Sequence, residues 1–332
     1  MQKIMGKAVQ LSRIQSVVKG ALTLREALTR VSNQFAPIEV NLFRGMLAYF
    51  DAQSYCEVSE VHQHYVEYFN KARNKTRCEI ADLLVVSFSE KRDFMRATFI
   101  QAKRETDIQP RNKFRFHLAA NQYQLLRNCP IIDPKGTGLP ANILRDACSD
   151  AISSYGVFYW NGRSYEFAYE LTGMLNPVYP SRQTGSMICY FGTTDSIGGS
   201  ACRISQQSLQ YCGTPFGRCT PILFSSIDTT DFELALSHGL IGSPIMGTLA
   251  SQLSQFINSL HADTSSKHAS AFANFVTKNQ DFWKNMDNGM HYIANRRDDN
   301  RRGENEESNI EWMMPRYIML VDADKAEERN PE

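Results

Sequence analysis

The chain has 332 residues, a formal net charge of +1, a hydrophobic fraction of 42% and a charged fraction of 21%. That length fits one large domain or two ordinary ones and is long enough to bury a substantial core. The near-neutral balance excludes a polycation, so any contact with nucleic acid must come from locally clustered charge. No apolar run reaches the length of about eighteen residues that a membrane span needs, and residues 1–11 lack the apolar stretch of a secretory leader. Eight cysteines are present without a C-x-x-C pair, which fits reduced thiols in a cytoplasmic protein.

Residues 1–54 read as an N-terminal helical segment. Leu22, Leu24, Ala27, Leu28 and Val31 fall at helical spacing, Pro37 interrupts them, and a second apolar stretch runs over 40–50. A further helix is expected over 58–72, with Val58, Val61, Tyr65 and Phe69 on one stripe. The texture then changes. Residues 82–88, Asp-Leu-Leu-Val-Val-Ser-Phe, form a β-branched apolar run that reads as a buried strand. A short polar connection leads to a second strand over 97–103, and the pair reads as a hairpin. A basic loop containing Pro110 precedes a helix over 117–127. A short helix through Ile143, Leu144 and Ala147 follows. Then comes a strand over 155–160, an Asn161-Gly162 turn and a partner strand over 164–171. Residues 186–191 are a further strand candidate. Residues 193–224 carry no clear period. Helices are expected over 241–260 and 272–286, a charged loop over 296–308, a final strand within 310–321 and a solvated tail over 322–332.

The chemistry is concentrated around the hairpin. Cleaving a phosphodiester requires an activated water, neutralised phosphate charge and a stabilised leaving oxygen, and Mg²⁺ held by carboxylates contributes to all three. Asp82 opens the first strand. Gln101 and Lys103 lie two apart on the second, so their side chains share a face while Ala102 points away. A Gln and a Lys on one face of an otherwise apolar strand need polar partners, and a metal-bound carboxylate on the neighbouring strand is one.

The pattern Glu79-Ile-Ala-Asp82-Leu-Leu-Val-Val, a hairpin, then Phe99-Ile-Gln101-Ala-Lys103 resembles the PD-(D/E)XK nuclease superfamily. The resemblance covers residues 55–165, about a third of the chain. It implies a restriction-endonuclease-like α/β (α+β) core, a mixed sheet flanked by helices. Residues 166–295 are then a C-terminal α/β region without an assigned role, and 296–332 the charged loop, final strand and tail. It also implies a Mg²⁺- or Mn²⁺-dependent site. Asp82, Gln101 and a Glu from the helix before the Asp strand would hold the metal. That Glu is Glu60 or Glu57, with Glu67 behind them, and Glu60 is preferred. Lys103 would act on the water and the phosphate. Gln101 departs from the family, which has Asp or Glu there. The Gln variant is similar to modification-dependent restriction enzymes and to nuclease effectors of bacterial anti-phage systems. A Gln in the helix after the third motif, Gln122 or Gln124, would point back at the site.

Charge supports a nucleic-acid partner, DNA in preference to RNA. Residues 71–115 hold twelve Lys or Arg against six acids. Arg73, Lys75, Arg77, Arg104, Arg111, Lys113 and Arg115 are the expected phosphate contacts. Two other readings are compatible with the same residues: a non-catalytic nucleic-acid-binding module on the same fold, and an interaction subunit of a larger defence complex. Cleavage of both strands would favour a homodimer, since one such site cuts one strand at a time.

Overall fold

The strand that follows Asp82, Leu83–Ser89, is buried at every position. A strand with no polar face must be covered on both sides, and the architecture follows from that requirement. The computed structural model describes residues 12–61, 65–70, 72–105, 115–133, 139–147, 150–178, 186–190, 224, 226, 228–260, 267–279 and 316–329. Helix α1 passes through residues 12–18, followed by α2 (Leu24–Gln34) and α3 (Glu39–Asp51). Strands β1 (Cys56–Glu60), β2 (Tyr65–Phe69), β3 (Lys75–Glu79), β4 (Leu83–Ser89), β5 (Phe94–Arg104) and β6 (Arg115–Ala119) come next, then α4 (Ala120–Asn128) and α5 (Ile143–Asp146). Strands β7 (Ser153–Trp160), β8 (Tyr165–Leu171), β9 (Asn176–Val178) and β10 (Ser186–Tyr190) precede α6 (Thr229–Ser237). The short β11 (Ser243–Pro244), α7 (Gly247–Leu260), α8 (Lys267–Lys278), β12 (Tyr317–Asp322) and α9 (Ala323–Arg329) complete the described elements.

The fold is α/β, with a mixed seven-stranded sheet between layers of helices. Six strands run in the order β1-β12-β4-β5-β7-β8, and β11 joins the edge of β5. β4 and β5 pair antiparallel as a hairpin, while β12 lies parallel to β4 and β7 parallel to β5. Alternate residues of β4 separate to the two faces. Leu83 and Val85 join a core built with α2, α3 and α6 through Leu28, Phe43, Phe50 and Phe232. Leu84, Val86 and Phe88 join the opposite core, built with α4, α7 and α8 through Leu125, Phe256, Phe272 and Phe275. Among the described residues no helix is long and apolar enough to cross a membrane.

Several expectations hold. The strand pair over 82–88 and 97–103, the strand over 155–160 and its partner across Asn161-Gly162 all form, with Gly162 at φ +96° in the turn. The N-terminal helices also form. The helix expected over 58–72 does not. Residues 56–60 are β1 and 65–69 are β2, because each finds a strand partner: β1 pairs with β12, and β2 pairs with β3. The turn between β2 and β3 is set by Arg73 in the left-handed region at φ 61° and by Asn70, whose side-chain oxygen accepts from the Asn74 N–H at 3.0 Å. Residues 117–119 of the expected 117–127 helix belong instead to strand β6, which pairs with β10. The helix expected from 241 starts at Gly247, because Ser243–Pro244 pair with β5. The expected solvated tail is instead α9, with Ala323 and Ala326 in the core. The Asp324 carboxylate accepts from Glu90 N at 2.7 Å and Lys91 N at 3.0 Å, so this helix closes the β4–β5 turn. The sheet therefore draws strands from both ends of the chain, with β12 inserted between β1 and β4.

One buried acid gives the stability a pH dependence. Glu170, on β8 opposite Tyr155, is 3% exposed and accepts from the Leu171 N–H at 3.1 Å. Burial pushes its carboxyl up from the usual 4.5 to about 8. A carboxyl raised in the folded state favours folding fully below its unfolded value and loses that advantage as pH rises toward the folded value. Stability should therefore fall by a few kcal/mol between about pH 5 and pH 8 from this group. Glu170→Gln should flatten that slope, measured as urea midpoints at the two pH values.

Candidate functional site

Register places Asp82 across from Gln101, one step beyond the pair Leu83–Ile100. The Asp82 carboxylate accepts from the Ala102 N–H at 2.9 Å and from the Gln101 side-chain Nε2, while its backbone oxygen accepts from the Tyr317 N–H at 3.0 Å. Asp82 is thus tied to β5 and to β12 at the end of β4. The Gln101 oxygen in turn accepts from Gln122 Nε2 on α4, and that same nitrogen reaches the Glu79 carbonyl at 3.4 Å. Gln101 and Gln122 are buried, at 3% and 5% exposure. Their two amides form an unbroken chain from α4 to Asp82. Gln124 is only half-buried and has no part in it, so of the two helix glutamines it is Gln122 that meets Gln101.

Sequence reasoning missed the second carboxylate. Glu39, the first residue of α3, shares a cleft with Phe43 and Arg44 of the same helix, with Asp82 and Ala102, and with Arg316 and Tyr317 at the start of β12. The cleft has about 20 Å³ of free volume, room for roughly one water. Glu39 also accepts a hydrogen bond from the Arg104 backbone N–H. Burial raises the Glu39 carboxyl, the nearby Lys103 charge opposes that rise, and the Asp82 charge adds to it. Burial likewise raises Asp82, opposed by Lys103, by the Ala102 N–H and by Arg316. The signal for Glu39 was present, since it follows Pro37-Ile38 at the mouth of an apolar helix. It was obscured by the expectation of a later helix over 58–72.

Glu60 and Glu57, expected on that helix, both lie on strand β1. Glu60 pairs with Tyr317 and accepts from its hydroxyl at 3.3 Å, so it touches a cleft residue without lining the cleft. Glu57 pairs with Leu320 and faces His268 of α8, three positions further along the sheet. Glu67 lies on β2 in an ion pair with Lys75 at 2.8 Å.

The expected basic rim is divided. Arg73 and Arg77 are exposed on the β2–β3 hairpin, Arg77 lying 5.0 Å above the Tyr65 ring. Lys75 is exposed beside Glu67, and Arg104 ends β5, 3.5 Å from the Tyr165 hydroxyl. Arg115 begins β6, while Arg111 and Lys113 lie outside the described residues. Lys91 and Arg92 belong to the far end of the hairpin, paired with Glu328 and Glu327, and Arg96 is buried. His62, His64, Cys212 and Cys219 lie outside the described residues.

No protein-family model, curated protein or solved structure matches this chain. The site must be judged on its own chemistry. Two carboxylates share one cleft, both raised chiefly by burial, and the Asp82 charge adds to the rise of Glu39. A divalent cation could act as their counter-charge, and hard oxygen donors suit Mg²⁺. Among the described residues no three His, Cys, Asp or Glu side chains gather as a metal group. Two carboxylates and at most an amide oxygen could serve as protein donors to such a cation. Gln101 presents its nitrogen to Asp82, so a contact through its oxygen needs the amide to turn over, with Gln122 turning to match.

Proposed function

We propose that the chain is a metal-dependent nuclease of the PD-(D/E)XK type, hydrolysing phosphodiester bonds of DNA. The observation that carries this reading is the cleft in which Asp82 and Glu39 meet, with Lys103 acting electrostatically on both. Asp82 and Glu39 would hold Mg²⁺ or Mn²⁺, with Gln101 as an amide donor in place of the usual acid. The bound ion supplies Lewis-acid stabilisation and lowers the pKa of a coordinated water. Lys103 brings a fixed positive charge to the attacked phosphate and orients the water. Gln122 fixes the plane of the Gln101 amide. The exposed Arg73 and Arg77 would attract backbone phosphate in a salt-dependent way. A role in defence against foreign DNA rests on the likeness of the Gln variant to anti-phage effectors.

The test is incubation with plasmid DNA in Mg²⁺, Mn²⁺ or chelator. Metal-dependent nicking is expected, and Lys103→Ala should lower its rate by about 100-fold, the scale of a lost charge on a developing anion. A second reading draws on the Gln101 nitrogen, which satisfies Asp82 without any cation. On that reading the protein binds nucleic acid and does not cut it. Retardation of DNA in chelator, with no nicking under any metal, would select it.

A further inference from the structure

Arg316 stands immediately before β12, about 230 residues from the hairpin in sequence, yet it lines the same cleft as Asp82, Glu39 and Ala102. Its backbone is fixed: the Arg316 carbonyl accepts from the Val61 N–H at 2.9 Å, and the next residue's N–H donates to the Asp82 carbonyl at 3.0 Å. Its guanidinium lies 5.6 Å from the centre of the Tyr317 ring and is half-exposed. It feels the Asp82 charge. Among the described residues, however, the guanidinium makes no ion pair and no hydrogen bond.

A guanidinium stacked on an aromatic ring, anchored through its backbone and without a carboxylate of its own, suits a planar bidentate anion. The cleft already carries two acids, so an anion reaches it only together with positive charge. Arg44, buried in the wall of the cleft and bonded to Tyr317, holds that ring in place. We infer that Arg316 contacts the scissile or the adjacent phosphate of a nucleic-acid strand, opposite Lys103. The C-terminal strand thereby supplies a substrate-binding residue to the site built by α3 and the β4–β5 hairpin. The inference rests on the nuclease reading for its substrate, and it can be tested separately from cleavage.

The full-length protein would be titrated with a defined DNA duplex, and with its separate strands, in EDTA over a range of salt. Arg316→Ala should reduce the slope of log affinity against log salt by about one, the signature of one lost phosphate contact. Arg316→Lys should restore most of the slope but not the cleavage rate, which should stay about 10-fold low because a point charge cannot hold two phosphate oxygens. Thermal melts of both variants serve as the folding control. A slope unchanged in Arg316→Ala, with tighter Mn²⁺ binding, would mean that the residue only offsets Asp82, and the inference would fall. A reduced slope in a protein that never cleaves would keep Arg316 as a phosphate contact while removing the nuclease reading. No DNA binding by the unaltered protein would overturn both.

Discussion

Asp82→Ala and Glu39→Ala should each lower metal-dependent cleavage by about 100- to 1,000-fold, whereas Glu60→Ala and Glu57→Ala should stay within about 3-fold of the unaltered protein. Loss of a carboxylate removes both a ligand and the charge that stabilises the transition state, and effects of that kind reach two to three orders of magnitude singly. The contrast is informative because all four are acids and only two line the cleft. Asp82 also accepts the Ala102 N–H, so its truncation leaves a buried donor without a partner and lowers stability by about 1–3 kcal/mol. Asp82→Asn, which keeps an oxygen there, separates that structural loss from the loss of charge. Glu39 is at the first turn of α3, where a negative charge favours the helix by about 0.3–1 kcal/mol, and it accepts the Arg104 N–H, so Glu39→Gln, which keeps an oxygen there, separates the structural loss from the loss of charge. Because burial raises both carboxyls and a metal binds only their ionised forms, metal affinity should increase with pH across the acid range. Equal activity of Glu39→Ala and Glu60→Ala would remove α3 from the site.

The contrast between Glu39 and Glu60 also shows which parts of this protein are legible in its sequence. The β4–β5 hairpin is legible because its information is local: two apolar runs, a short polar connection, and side chains whose parity fixes which residues share a face. That parity puts Gln101 and Lys103 on one face beside Asp82, while the glutamine of the following helix stays open between Gln122 and Gln124. Strand β1 is not legible. Cys56-Glu-Val-Ser-Glu60 is a weak strand alone, and its partner β12 lies more than 250 residues later. The stripe of Val58, Val61, Tyr65 and Phe69 fits a helix equally well, and only the distant pairing decides against it. With 58–72 read as the helix before the Asp strand, Glu60 or Glu57 is the natural candidate and Glu39 of α3 is passed over. Arg316 is hidden for the same reason, because its relation to Asp82 exists only through the insertion of β12 beside β4.

Gln101→Glu should tighten Mn²⁺ binding by about tenfold or more, about 1.4 kcal/mol, and at the same time destabilise the metal-free protein. In the present arrangement the Gln101 amide is a neutral stand-in for a cation, since its nitrogen donates to Asp82 and its oxygen accepts from Gln122. A metal that binds Asp82 must displace that donor, and the displacement costs affinity. A glutamate cannot donate to Asp82. It places a second carboxylate against Asp82, which raises the carboxyl pKa values without metal and favours the ion when metal is present. Gln122 can still donate to the new carboxylate, so the α4 contact survives. Melting in EDTA should therefore move down for Gln101→Glu, and melting in saturating Mn²⁺ should move up, by mass action on the folded state. Calorimetric titration gives the affinity directly. If the variant binds Mn²⁺ no better than the unaltered protein, Gln101 does not face the ion, and Asp82 with Glu39 must hold it without help from β5. If the variant gains both affinity and cleavage, Gln101 is the residue that tunes this site toward weak metal binding, and the free metal concentration becomes the quantity that sets its activity.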